Sequence, residues 1–362
     1  MSTVNDRSLK PVVAWLITGC VMIAMMVTIG GITRLTGSGL SITEWKPIMG
    51  ALPPMNEAQW HEAFEKYQQI PQYREVNSGM ELGEFKQIFF WEYIHRNWGR
   101  LMGIVFIVPF LWFMRKGMLK GWLMVRGIWI LVGGGLVGAL GWFMVASGLE
   151  ELSSVSHYRL AIHLVAAFTI YCVVLWTVFD VKQERHGFRS DGTPAGKWSR
   201  WLLLLVLVQI VYGAFVAGLH AGPVSNTWPM MNDEFMPKAV FAYDSLWKNL
   251  THNQVAVHFI HRNFAWVVAA AITWFGYANR KNASLHGGDR WLFGAVFLQM
   301  TLGVFAVLTR VWVSAGVLHQ FGAVLLLTAL INVLHRTGRP VPLQGGGHAP
   351  DVAADAAGHR GQ

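Results

Sequence analysis

Long apolar stretches separated by polar segments dominate this chain. Runs of about the 20 residues needed to cross ~30 Å of hydrocarbon begin near Val12, Leu101, Gly127, Leu160, Trp201, Phe259, Leu292 and Val311. The pattern predicts eight transmembrane helices. The segments from Thr33 to about Trp91 and from His220 to about Val257 are too polar to span, and read as two long loops on one face of the membrane.

A repeat lies within this pattern. Glu92-Tyr-Ile-His95-Arg-Asn97 recurs as His258-Phe-Ile-His261-Arg-Asn263, and Leu140-Gly-Trp-Phe-Met-Val145 is matched by Leu302-Gly-Val-Phe-Ala-Val307. The loop from Gly39 to Met49 parallels that from Gly222 to Met231. The predicted fold is therefore an all-α membrane protein made of two pseudo-repeated four-helix bundles, residues 1–180 and 200–336, joined by a linker at 181–199. Four spans per half give both halves the same orientation, about an axis along the membrane normal, unlike the inverted repeats of many transporters. The Gly-, Ala- and Pro-rich tail, 337–362, is expected to be disordered.

Composition agrees with a bilayer protein: 53% of residues are hydrophobic and 14% charged, with a mean hydropathy of +0.37. The net charge of +9 is a topology signal. Placing both chain ends and the loops Arg115 to Arg126, Val181 to Arg200 and Asn279 to Arg290 on one side collects 17 of 29 basic residues there, with 6 of 20 acidic ones. That side is predicted to be the cytoplasm, and no nucleic-acid partner is called for. The first span lacks a small-residue cleavage site and reads as retained. The residues before it lack the Arg-rich character of an organelle transit peptide, so a bacterial plasma (inner) membrane is expected. Cys20 and Cys172 both fall inside spans, where a structural disulfide is not expected.

Four histidines carry the candidate chemistry. His95 opens the second span, and His163, His261 and His319 lie near the starts of the fourth, sixth and eighth. At 1.5 Å per residue, each imidazole sits within about two turns of the outer interface. One pair per half is the arrangement in which facing helices ligate an iron from both sides. Gly99, Ala166 and Ala167, Ala265, and Gly322 and Ala323 follow these histidines by one turn. Such residues leave room for a flat macrocycle, and equally suit close helix packing. Ionisable groups inside spans are costly enough to imply function. Zinc fits less well, without a cysteine partner or an HExxH pair. His157, His220, His252 and His258 lie at outer loops as interface residues, and His186, His286, His335, His348 and His359 on the inner side receive no role.

The sequence from Gly30-Gly-Ile-Thr-Arg34 to Glu44-Trp-Lys-Pro47, the stretch from Glu84 to Arg96, the Leu140 to Val145 motif and His319-Gln320 together resemble the haem A synthase family, over nearly the whole chain to about Leu334. The long first outer loop is similar to that of proteobacterial and mitochondrial members. The outer-loop cysteine pair of some other members is absent, so no thiol step carries over. The resemblance implies an enzyme that oxidises a methyl group of haem O to the formyl group of haem A, with one half holding a resident haem b and the other the haem O substrate. It also implies contact with haem O synthase and oxidase assembly factors, within membrane lipid.

Asymmetry between the repeats suggests which half is which. Where the first copy has Glu92, the second has His258. A carboxylate three residues before a haem ligand shares its helix face, so the substrate is expected between His95 and His163, with Glu92 as acid-base or cation-stabilising group, and haem b between His261 and His319. Arg34, Arg96, Arg100, Arg262 and Arg310 are candidates for the haem propionates, or serve as interface anchors. Trp45 and Trp228 cover a haem edge or belong to the aromatic belt. A di-haem electron-transfer cytochrome, or a haem transporter or assembly factor, would use the same four histidines without altering a macrocycle.

Overall fold

The computed structural model describes residues 6–45, 49–150, 153–183, 189–190, 192–282, 285 and 287–339. The expected disordered tail lies, beyond Arg339, outside the described residues. In chain order the helices are α1 (Asp6–Leu35), α2 (Glu57–Gln68), α3 (Pro71–Glu75), α4 (Leu82–Arg115), α5 (Gly121–Glu150), α6 (His157–Lys182), α7 (Pro194–Gly218), α8 (Leu246–Thr251), α9 (Gln254–Ala278), α10 (Gly288–Leu308) and α11 (Val313–Arg336). Eight of them, α1, α4 to α7 and α9 to α11, are long and apolar enough to cross a membrane. The chain is thus a multi-pass membrane protein.

Polar side chains set where the helices start. Thr193 accepts a hydrogen bond from Gly196 N ahead of α7, which has a proline in its first turn. Asn253 accepts from Val255 N and Ala256 N ahead of α9. At α4, Glu81 and Glu84 form a reciprocal capping box. This cap lies well before Leu101, where the apolar stretch begins, so α4 extends beyond the expected span and His95 sits inside the helix rather than at its opening.

The extension is held by an aromatic cluster. Phe85 and Phe89 of α4 are buried with Tyr67 of α2, Trp60 stands edge-on to Phe89 at 5.0 Å, and Phe64 packs on Phe85 at 5.1 Å. Much of the long segment before α4 is therefore folded, with α2 packed against α4 and α3 against α5, because its aromatic residues have an apolar helix face to cover. The long segment between α7 and α9 contributes α8, short 3-10 turns and an isolated bridge between Met231 and Glu234.

The spanning helices pack in two groups. In the first, α1 lies against α4 and α6, and α5 against α4 and α6; in the second, α7 lies against α9 and α11, and α10 against α9 and α11. The groups meet where α1 packs on α11, α6 on α7, and α6 on α11. Lipid tails are as apolar as leucine, so association depends on packing and on hydrogen bonds across helices. Tyr171 Oη and Thr328 Oγ1 stand 2.6 Å apart between α6 and α11, and Gln320 of α11 donates to the Val27 carbonyl of α1 at 2.9 Å. At the end of the bundle away from the long loops, buried Asp180 of α6 pairs with Arg126 of α5 at 3.1 Å and with His335 of α11 at 2.9 Å. There too, Arg189 and Ser190 pair with Arg339 and Gly338 in a two-residue antiparallel strand contact. Cys20 and Cys172 are free.

Candidate haem-binding sites

Each of the four spanning histidines meets a glycine on a neighbouring helix. A methyl group placed on Gly30 of α1 would stand 3.1 Å from Cε1 of His95, and one on Gly141 of α5 would stand 3.0 Å from Cε1 of His163. In the second group, Gly213 of α7 holds the same relation to His261 at 3.1 Å, and Gly303 of α10 to His319 at 3.0 Å. At contacts this short a methyl group would make the imidazole give by a few tenths of an ångström, and with glycine the ring edge rests on bare backbone. Gly141 and Gly303 lie within the matched motifs at Leu140 to Val145 and Leu302 to Val307, which sequence comparison identified as a repeat without connecting them to the histidines.

These seats orient the rings. The His163 ring faces the backbone carbonyl of Val137, the His261 ring that of Gln209, and the His319 ring that of Gln299; each carbonyl belongs to the residue one helical turn before the glycine. A backbone carbonyl at one ring nitrogen leaves the other for a metal. None of these three approaches reaches full hydrogen-bond geometry, and Nδ1 of His95, His163 and His319 is buried with no hydrogen-bond partner among the described residues.

His261 and His319 face one another with ring centroids 6.2 Å apart and planes at 89°. Two imidazole nitrogens each about 2 Å from one metal ion place the centroids about 6 Å apart, so this pair fits an iron bound from both sides. His95 and His163 are near enough to interact electrostatically. No group of three or more His, Cys, Asp or Glu side chains suited to a metal ion occurs among the described residues. The histidines thus fit two-ligand iron in a macrocycle, which supplies the other four donors, better than a protein-only metal site.

The space beside the histidines is shared differently from the sequence expectation. Gly99, one turn after His95, faces the Met26 methyl at 3.5 Å, and Gly322 seats the Gln299 side chain. Gly99 and Gly322 therefore accommodate side chains from the neighbouring helix, while the close approaches to the rings come from Gly30, Gly141, Gly213 and Gly303. Gln320, next to His319, lies against Gly31, and Gly30 lies against His95, so two adjacent glycines of α1 touch both groups.

Glu92 is 2% exposed. Its Oε2 accepts from Ser41 Oγ and Ile42 N, both at 2.8 Å, and its Oε1 accepts from Arg96 Nε at 3.0 Å and Nη2 at 2.6 Å. Arg96 also donates to the carbonyls of Ile42 and Glu44. Arg262 makes the corresponding contacts in the other group, donating to the carbonyls of Thr227, Pro229 and Met230. These two arginines fasten the long loops to α4 and α9. Arg262 keeps a buried Nη1 without a partner among the described residues.

Arg100 donates to Asn97 at 2.7 Å. Arg34 lies near His220, whose imidazole is pushed below its ordinary range by burial and by the Arg34 charge. Arg310 is exposed, in a left-handed turn after α10 with φ +52°. Trp45 lies under the Arg96 guanidinium at 5.6 Å, and Trp228 stacks with Trp266 at 6.3 Å.

Comparison with known proteins places this arrangement among relatives. Residues 13–331 match the COX15-CtaA family model, described as cytochrome oxidase assembly protein. A protein of Parvibaculum lavamentivorans named Heme A synthase is 41% identical over 335 residues, covering 92% of this chain and 96% of the relative. Proteins of the same name from Brucella ovis, 45% identical over 332 residues with coverage of 89% and 90%, and from Rhodopseudomonas palustris, 43% identical over 341 residues with 92% of both, are similarly close.

Proposed function

The chain belongs to the COX15-CtaA family of cytochrome oxidase assembly proteins, and from that premise we propose that it is a haem A synthase, an oxidoreductase that converts a methyl group of haem O to the formyl group of haem A. The observation that carries the reading is the set of four glycine-seated histidines, one pair in each helix group. The matching glycine contacts and the matching helix-packing pattern support two four-helix halves related by a pseudo-twofold axis, 1–180 and 200–336, with the connection at 181–199.

His261 and His319 hold a resident haem b, which when bound supplies one-electron redox chemistry. Haem O binds between His95 and His163. Only this half places a buried carboxylate one turn before its ligand, where the other half has His258. With its oxygens accepting four hydrogen bonds, Glu92 is suited to act as a fixed negative charge that stabilises positive charge developing at the substrate methyl, rather than to move a proton. Arg34, Arg96, Arg100, Arg262 and Arg310 are the propionate candidates; Arg262 keeps a buried Nη1 without a partner among the described residues, whereas the Arg96 guanidinium is engaged by Glu92 and by loop carbonyls. The charge distribution supports a bacterial inner membrane location with both termini cytoplasmic. Haem O synthase and oxidase assembly factors are the partners this activity calls for.

The test is expression in a host that makes haem O but no haem A, followed by extraction and chromatography of the haems. Haem A beside haem b is expected. Haem b alone, with haem O unconverted, overturns the assignment in favour of a di-haem cytochrome or a carrier.

A further inference from the structure

One turn before each glycine seat stands a residue on the same face of the glycine's helix. In α1 and α5 it is Met26 and Val137; in α7 and α10 it is Gln209 and Gln299. Both glutamines engage their histidines. Gln209 Nε2 donates to the His261 main-chain carbonyl at 2.9 Å and lies 3.1 Å from its Nδ1. Gln299 Nε2 flanks the other nitrogen of its ring, 3.5 Å from Nε2 of His319, at the limit of a hydrogen bond and on the side left for a metal. The glutamine on α10 is admitted by Gly322, where any side chain would collide with its Oε1.

The two amides are costly. Both Oε1 atoms are buried without a hydrogen-bond partner among the described residues, a penalty that neither methionine nor valine carries. A burden present at both histidines of one half, and at neither of the other, points to a function at those histidines. A group at the ring nitrogen that does not take the metal, as Gln209 is at Nδ1 of His261, orients a ligating imidazole and restrains its motion, and its loss weakens metal binding about 10- to 100-fold.

We propose that Gln209 is a positioning residue that locks the His261 ring at Nδ1, with Gln299 flanking the His319 ring, and so keeps the haem of the second half resident, whereas apolar Met26 and Val137 leave His95 and His163 loose enough to release a porphyrin after each turnover. This rests on the assignment of haem b to the second half. The asymmetry gives a physical distinction between a cofactor site and a substrate site built on the same four-helix plan.

The experiment exchanges the residues between halves in the detergent-purified holoprotein. Gln209→Met with Gln299→Val should speed transfer of haem b to a scavenger such as apomyoglobin by about 10- to 100-fold. It should also alter the low-spin electron paramagnetic resonance signal, which depends on the angle between the imidazole planes. The reciprocal Met26→Gln with Val137→Gln should raise the porphyrin retained by the first half and slow product release. If the double exchange does not fold, Gln209→Met alone is measured in the same way. Wild-type transfer rates with an unchanged resonance signal in the exchanged protein overturn the proposal. Failure of the underlying assignment looks different: His261→Ala would then retain its full haem b.

Discussion

Gly303 and His319 stand so close that a methyl group on the glycine would lie 3.0 Å from the imidazole Cε1. A side chain there must push the ring or separate α10 from α11, and overpacking of this kind costs about 1–3 kcal/mol. Gly303→Ala should therefore lower haem b occupancy and disturb its low-spin spectrum. Gly141→Ala should impair conversion while sparing haem b. Gly138, on α5 with open space around its Cβ position, supplies the control: Gly138→Ala should fold at least as well as wild type, with a helix-propensity gain of at most about 1 kcal/mol. Equal haem content in the Gly303 and Gly138 variants, measured by absorbance per protein, would remove the seating argument.

The two histidine pairs should respond differently to deletion. His261→Ala or His319→Ala should abolish the six-coordinate haem b spectrum, whereas His95→Ala or His163→Ala should stop conversion with haem b largely in place. Visible spectra of the reduced proteins check both. The opposite pattern would exchange the roles of the two halves.

Asp180 joins α5, α6 and α11 through Arg126 and His335, and is completely buried. Removing one partner from a buried ionic cluster leaves the others uncompensated, at a cost of about 3–5 kcal/mol. Asp180→Asn should thus lower thermal stability in detergent markedly, as read by loss of the monodisperse peak after heating. Lys66→Ala, which breaks only exposed pairs with Glu44 and Glu62, should have little effect. Equal midpoints for the two variants would show that the cluster contributes nothing beyond packing.

The pairing of Arg189 and Ser190 with Arg339 and Gly338 puts the connection between α6 and α7 and the end of α11 on one side of the bundle, and the charge count predicts that side to be cytoplasmic. A reporter fused after Arg339 should be active only in the cytoplasm. Activity restricted to the periplasm would invert the topology.

The eight spans and the four histidines are legible in the sequence because each depends on a local signal: apolar length for the spans, and an ionisable residue inside an apolar run for the histidines. The true start of α4 is not, because the Glu81 and Glu84 cap and the cover given to Phe85 and Phe89 by α2 outweigh the polar character of that stretch. The glycine seats escape for a similar reason. Sequence inspection looks along the histidine's own helix, to Gly99 or Gly322, whereas the close approach comes from another helix, and which helices are neighbours is a tertiary fact. The recurrence of Leu-Gly at Leu140 and Leu302 was the available clue. Arg96 and Arg262 look like free cations in sequence because their loop carbonyl partners cannot be identified until the outer loops are folded.

Glu92 allows the sharpest test, because two roles with different signatures meet in it. Its carboxylate accepts from Ser41 and Ile42 of the first outer loop and from Arg96, so it is a latch as well as the proposed charge beside the substrate. Glu92→Gln keeps the size but removes the charge, and its single carbonyl oxygen replaces two. If the charge acts on the substrate, conversion should fall on the order of 10²-fold or more, the scale of losing a positioned acid-base or electrostatic group, with haem b retained and unconverted or partly oxidised substrate accumulating. Ser41→Ala separates the latch. It removes one hydrogen bond, at a cost of about 0.5–1.5 kcal/mol, and leaves the charge, so it should loosen the loop with conversion reduced only slightly. Limited proteolysis of the outer loop and haem A yield are measured on both variants. A Ser41→Ala protein as inactive as Glu92→Gln would make the latch the essential element. A well-folded Glu92→Gln protein with near-normal haem A yield would end the catalytic proposal, because the negative charge would then have no part in the oxidation.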